Sequence, residues 1–111
     1  MIYIVLPVHN RIDETKLFIQ ALKRQTYKDF HLILVDDGSS DGTADYISNE
    51  MSNLTILKGN GKLWWAGSLE KGRKHLLNLK EMTDGNIIMI INNDTTFDEL
   101  FLSNIINLKL L

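Results

Sequence analysis

At 111 residues, with 44% hydrophobic and 23% charged side chains, the chain has the composition of one small globular domain and no room for a second. Its net charge of −2, with no basic face, excludes non-specific nucleic-acid binding. The absence of cysteine excludes disulfides and thiolate metal sites, and no run of about 18 apolar residues is present to span a membrane.

Ile2 to Leu6 is a near-continuous hydrophobic run, as expected of a strand covered on both faces, and Pro7 is expected to end it. Without a basic leader it reads as a buried strand rather than a signal peptide. Asn10 is placed to cap a helix with Asp13 and Glu14 in its first turn and Phe18, Ile19 and Leu22 on one face, fading near Gln25. Phe30 to Val35 is a second buried strand. The polar octet Asp36 to Thr43 follows, and within it Ser40 or Asp41 can cap a helix from about Ala44 to Met51. Leu54 to Leu57 is a short third strand, and Lys58-Gly59-Asn60-Gly61 a turn. From about Ala66 to Lys80, Leu69, Arg73, Leu76 and Leu77 keep helical spacing, with Gly72 as a point of close packing. Asn86 to Ile91 is the clearest strand, and a last helix starts near Asp98 and runs through Phe101, Ile105 and Leu108.

Strands alternating with helices predict an α/β fold: a mainly parallel sheet with helices on both faces. Ligands of such sheets bind at the carboxyl ends of the strands. Polar clusters follow three of the four strands: Pro7-Val8-His9-Asn10-Arg11, Asp36-Asp37-Gly38-Ser39 and Asn92-Asn93-Asp94. All three are expected on one rim.

Each cluster has a structural and a chemical reading. Two adjacent carboxylates crowd charge unless something offsets it. Asp36 is expected to brace its turn, leaving Asp37 to accept hydrogen bonds from a base or ribose; taken alone, the octet is just a turn. Asn92-Asn93-Asp94 offers oxygen donors, and a hard cation such as Mg²⁺ or Mn²⁺ needs only one or two protein carboxylates when phosphates supply the rest. Asp94 is thus a candidate metal ligand, although standing alone the triplet with Thr95 reads as a polar loop capping the helix that follows. Of Trp64 and Trp65, one is expected in the core and the other as a sugar-stacking surface or pocket wall. Among the three histidines only His9 lies on the expected rim; His31 and His75 have no metal-ligand spacing.

In combination, the segments Ile4 to Arg11, Gln25 to Phe30, Leu34 to Thr43 and Ile90 to Thr95 resemble, in order and spacing, the inverting family-2 glycosyltransferases of the GT-A fold. The resemblance covers residues 1 to about 99. It implies that the backbone around Pro7 and the Asp37 carboxylate hold a nucleoside base, with Asp36 supporting the turn and Arg11 near the phosphates. Asn92-Asn93-Asp94 stands at the family's Asp-x-Asp position, with Asp94 matching the metal-binding carboxylate and Asn92 replacing the first aspartate. Asn-Asn-Asp-Thr with Leu-Trp-Trp-Ala-Gly is similar to the branch of rhamnosyl- and related transferases that build bacterial surface polysaccharides.

The implied chemistry is a single displacement at the anomeric carbon. A carboxylate base deprotonates the acceptor hydroxyl, and the metal stabilises the departing diphosphate. The family's base and acceptor site lie beyond the position matching Leu111, so this chain is expected to be the donor- and metal-binding half, truncated after the Asp-x-Asp position and inactive alone. Its expected partners are a nucleoside-diphosphate sugar and, in a full-length enzyme, a glycan acceptor. A cytoplasmic location is expected, peripheral to a membrane at most. The rival reading is a non-catalytic nucleotide-binding or self-associating module, because a sheet cut after its fourth strand leaves an open edge.

Overall fold

Among the described residues strand and helix alternate: β1 (Ile2–Val8), α1 (Ile12–Lys23), β2 (Phe30–Asp36), α2 (Thr43–Glu50), β3 (Leu54–Lys58), α3 (Trp64–Leu77), β4 (Ile87–Ile90) and α4 (Phe101–Lys109). The computed structural model describes residues 1–80, 82 and 85–109. The strands form one sheet in the order β3-β2-β1-β4, and every neighbouring pair is parallel.

Side-chain alternation divides the core between the two faces of the sheet. Ile2, Ile4, Leu6 and Val8 of β1 join Phe30, Leu32 and Leu34 of β2 under α1, α2 and α4, which contribute Phe18, Ile19, Leu22, Ile47 and Leu102. Tyr3, Val5, Ile33 and Val35 occupy the opposite face beneath Leu76 of α3. Gly72 of α3 is where that helix meets the sheet. A Cβ there would lie 2.8 Å from Val5 Cγ1, closer than packed carbons come, so the close packing read from the sequence is present.

Several boundaries differ from expectation, each for a physical reason. β1 continues through Pro7 to Val8 rather than ending at the proline. Ile2 donates its N–H toward β2, to Asp29 O, so alternation turns the nitrogen of Pro7 toward β4. Pairing with β4 ends at Val5, so the missing N–H costs no ladder bond. Asn10 does not cap α1. Arg11 is the capping residue by position, left-handed at φ 61° with no side-chain cap, and Asp41 Oδ2 accepts the Ile12 N–H from 29 residues away. Asp41 Oδ1 also accepts the Thr43 N–H, so one carboxylate caps both α1 and α2. α3 begins at Trp64, two residues before the expected Ala66, and Leu77 is exposed although it shares the helical spacing of buried Leu76. Among the described residues no helix is long and apolar enough to cross a membrane.

Candidate functional site

A cavity of about 220 Å³ opens at the carboxyl ends of the strands. Pro7, Val8 and His9 reach it from β1, Asp37 from β2, Gly61, Trp64, Trp65 and Ser68 from the β3–α3 turn and α3, and Asn93 from beyond β4. The three polar clusters therefore do converge on one rim. Ordinary small-molecule pockets run from about 300 Å³ upward, so this cavity suits one ring of a ligand with the remainder lying across the open rim.

Asp37 organises the cavity wall. It is 4% exposed, and both carboxylate oxygens are taken by backbone donors. Oδ1 accepts the N–H of Gly61 at 2.8 Å and of Leu63 at 3.2 Å; Oδ2 accepts those of Leu63 and Trp64, each at 3.0 Å. Burial alone would push this carboxyl up, but the donors from Leu63, Trp64 and Gly61, with a further contribution from His9, hold it below the ordinary carboxylate range. Asp36 braces its turn as expected, but Asp37, expected to turn to the ligand, has both oxygens engaged by backbone donors. Asp36 accepts a single turn bond from Ser39 N at 3.0 Å, while Asp37 fastens the β3–α3 turn to the end of β2. Gly38 makes that fastening possible: at φ 77° its backbone comes so close to Gly61 that a Cβ would lie 2.9 Å from the Gly61 Cα.

The β1 loop is locked to the same turn. His9 Nδ1 lies 2.6 Å from Asp37 O, and a carbonyl only accepts, so Nδ1 carries the proton and Nε2 is the acceptor of the neutral ring. Asn10 and the serines bond reciprocally, Asn10 N to Ser39 Oγ at 2.7 Å and Ser40 N to Asn10 Oδ1 at 2.8 Å. Asn10 and Arg11 both have positive φ, a rare conformation for non-glycine residues that such bracing sustains. Asn10 and Arg11 do not line the cavity, and Arg11 is exposed.

Neither tryptophan is in the core. Trp64 is 76% exposed and Trp65 57%. Both are instead walls of the cavity, and Trp65 Nε1 donates to Asn92 Oδ1 at 3.1 Å. Asn93 Nδ2 donates to Thr15 Oγ1 at 3.1 Å, tying the triplet to α1. Asp94 is an exposed carboxylate just past the cavity-lining Asn93. Among the described residues no group of three or more His, Cys, Asp or Glu side chains is assembled to hold a metal ion. A lone carboxylate such as Asp94 could hold a hard cation only with phosphate oxygens completing its shell.

Gly61 and Ser68 line the cavity and were not anticipated. The signal for Gly61 was available: its turn follows the third strand, and the rule that selected the other strand ends applies to it equally. Ser68 carried none, since a serine on the inner face of a helix has no strand-end mark.

The profile of glycosyl transferase family 2 matches residues 3–109. The chain belongs to glycosyl transferase family 2. An uncharacterized glycosyltransferase of Rickettsia felis is 36% identical over 45 residues, which are 40% of this chain and 8% of that protein. Among solved structures, S. aureus TarS 1-349 superposes with a TM-score of 0.70 at 17% identity, covering 94% of this chain and 30% of that one. The mannosyltransferase PcManGT from Pyrobaculum calidifontis, solved in complex with GDP-Man and Mn²⁺, gives 0.75 at 19% identity, covering 93% of this chain and 30% of that one. The family-2 chain thus spans 8% of the curated relative's length and 30% of each solved one, and its parallel sheet has the GT-A arrangement of those structures.

Proposed function

We propose that this family-2 chain binds a nucleoside-diphosphate sugar, with Mg²⁺ or Mn²⁺, across the rim where Pro7-Val8-His9, Asp37, Trp64-Trp65 and Asn93 meet. The observation that carries this reading is the convergence of all three strand-end clusters on one cavity. The nucleoside base rests against Pro7, Val8 and His9, whose Nε2 accepts from a base N–H or a ribose hydroxyl. Asp37 and Asp36 act by holding the wall, because the Asp37 oxygens already carry backbone donors. Trp64 and Trp65 offer flat apolar surface to a ring. Outside the cavity itself, Arg11, Asn92 and Asp94 are proposed to meet the diphosphate. A cation bound at Asp94 would neutralise charge on that diphosphate.

The inverting transfer to a glycan hydroxyl, in the building of a polysaccharide, is proposed for an enzyme that contains this segment; the segment alone is proposed to bind donor and transfer nothing. A cytoplasmic setting, peripheral to a membrane at most, goes with that role. Titration calorimetry with UDP, GDP and dTDP, each with Mn²⁺, tests the binding. Heat is expected with at least one nucleotide, reduced in Asp94→Ala. No heat with any nucleotide would overturn the reading, and a panel of nucleotide sugars including dTDP-rhamnose tests the rhamnosyl branch.

The sheet edge favours a second reading, that of a self-associating module. Ile88 and Ile90 of β4 are 52% and 53% exposed on the last strand of the sheet order among the described residues.

A further inference from the structure

We propose that the Ser68 hydroxyl donates to a ring carbonyl of the nucleoside base. With His9 it selects a base whose carbonyl stands beside a ring N–H (uracil, thymine or guanine) over one with an amino group there (cytosine or adenine). The proposal rests on the donor-binding reading above and adds the residue that reads the base.

Packing alone does not explain a serine at this position. The buried residues of α3 are Ser68, Gly72 and Leu76, spaced one turn apart on the face turned to the sheet. Gly72 meets Val5 of β1 and Val35 of β2 there. One turn nearer the start of α3, Ser68 lies toward the carboxyl ends of those two strands and lines the cavity with Pro7, Val8 and Asp37. An alanine would fill the same space without a polar group.

A hydroxyl taken out of water without a hydrogen bond costs stability, so buried polar groups are normally paired. The other buried polar residues follow the rule: Thr15, Gln25, Asp36, Asp37 and Thr43 all bond through their side chains. Ser68, at 2% exposed, has no partner for its hydroxyl among the described residues. Thr15 satisfies its own hydroxyl by donating to Arg11 O, four residues back. The equivalent bond from Ser68, to Trp64 O, is not made. No fully buried side-chain oxygen or nitrogen among the described residues lacks a partner. The little exposure Ser68 retains is therefore at its hydroxyl, which looks into the cavity.

His9 and Ser68 then face a base from the same cavity with different roles. His9 Nδ1 donates its proton to Asp37 O, so Nε2 of the neutral ring only accepts. Both Asp37 oxygens are already engaged. Uracil, thymine and guanine present an N–H to Nε2 and, beside it, a carbonyl to the serine hydroxyl. Cytosine and adenine present a bare ring nitrogen in place of that N–H. Acceptor then faces acceptor, and rotating the hydroxyl does not repair it. A site built on hydrogen bonds rejects an analogue that leaves them unmade.

Titration calorimetry in Mn²⁺ compares UDP, dTDP and GDP with CDP and ADP. At least one of the first three should bind about tenfold or more tightly than its amino counterpart. Ser68→Ala should weaken binding of that nucleotide roughly tenfold, with the melting temperature at or above that of wild type, since no bond within the protein is lost. The decisive ligand is the same nucleotide without its ring carbonyl: 2-pyrimidinone riboside diphosphate for uracil or thymine, 2-aminopurine riboside diphosphate for guanine. Wild type and Ser68→Ala should bind that ligand equally, whereas a serine that only shapes the cavity would affect both ligands alike. If Ser68→Ala bound the parent nucleotide as wild type does, or lost the same factor with the analogue, the role of Ser68 would be overturned and donor binding would stand. CDP or ADP binding as tightly as UDP and GDP would overturn the selection. No binding of any nucleotide would overturn the donor reading and this one with it.

Discussion

Asp37 Oδ2 accepts the backbone N–H of Trp64 at 3.0 Å, and Trp64 stands in the left-handed region at φ 57°. A bulky L-residue gains nothing there by itself; the conformation costs about 1–2 kcal/mol. The buried carboxylate holds it, and the indole is thereby placed on the wall of the candidate donor cavity rather than in the core.

Removing that carboxylate should undo the turn. Asp37→Ala leaves the N–H groups of Gly61, Leu63 and Trp64 without their acceptor, and each such loss costs about 1–3 kcal/mol where water cannot replace it. We expect destabilisation of about 3 kcal/mol or more in urea unfolding. Asp37→Asn, which keeps one carbonyl oxygen, should lose less. Equal stability of wild type and Asp37→Ala would contradict this account of the cavity wall.

Acid should loosen the same joint. The carboxyls of Asp37 and Asp41 are both held below their ordinary range. Burial opposes this in each case; backbone donors outweigh it at Asp37, and the Thr43 hydroxyl and the Ile12 and Thr43 N–H groups outweigh it at Asp41. For a depressed pKa the stabilisation is present above the unfolded value, near 3.9, and is lost as pH falls through the folded value. Thermal stability should therefore drop below about pH 4. The drop should be shallower in Asp37→Asn and in Asp41→Asn, and an unchanged slope in both would refute the assignment.

Trp64 gives a sharper contrast. The strain lies in the backbone, and the ring is too exposed for its loss to matter much. Trp64→Gly removes the Cβ conflict, whereas Trp64→Ala retains it. Glycine should be the more stable replacement by about 1 kcal/mol, the reverse of the usual order at a helical position. Alanine proving the more stable in denaturant unfolding would show that the left-handed conformation is not enforced.

What the sequence disclosed and what it concealed divide along range. The strands of residues 2–8 and 30–36 were legible because burial on both faces writes an unbroken apolar run, or nearly so, and that of residues 87–90 because its run is equally apolar although Ile88 and Ile90 are half-exposed. The rim was legible because a parallel sheet puts its strand ends together. The role of Asp37 was not, since its donors lie 24 to 27 residues further on, and neither was the capping of α1 by Asp41 across 29. Pro7 misled for a related reason: whether a missing N–H ends a strand depends on which neighbour it faces and where that neighbour stops. Trp64 and Trp65 were misplaced because burial statistics for tryptophan take no account of a strained turn that turns both rings outward.

The Asn92 position is where metal affinity should be open to strengthening. Its amide oxygen accepts from the Trp65 indole, and the amide adds no charge beside Asp94. Asn92→Asp keeps an acceptor for the indole and adds a second carboxylate, the number that hard cations commonly use alongside phosphate oxygens. Mn²⁺ affinity in the presence of nucleotide should rise about tenfold, worth roughly 1.4 kcal/mol. Asp94→Ala should abolish the Mn²⁺-dependent part of nucleotide binding while leaving fold and thermal stability intact, because its carboxylate is exposed. If Asn92→Asp left the Mn²⁺ titration unchanged while Asp94→Ala abolished it, the cation would rest on Asp94 and phosphate alone, and Asn92 would serve only to hold Trp65.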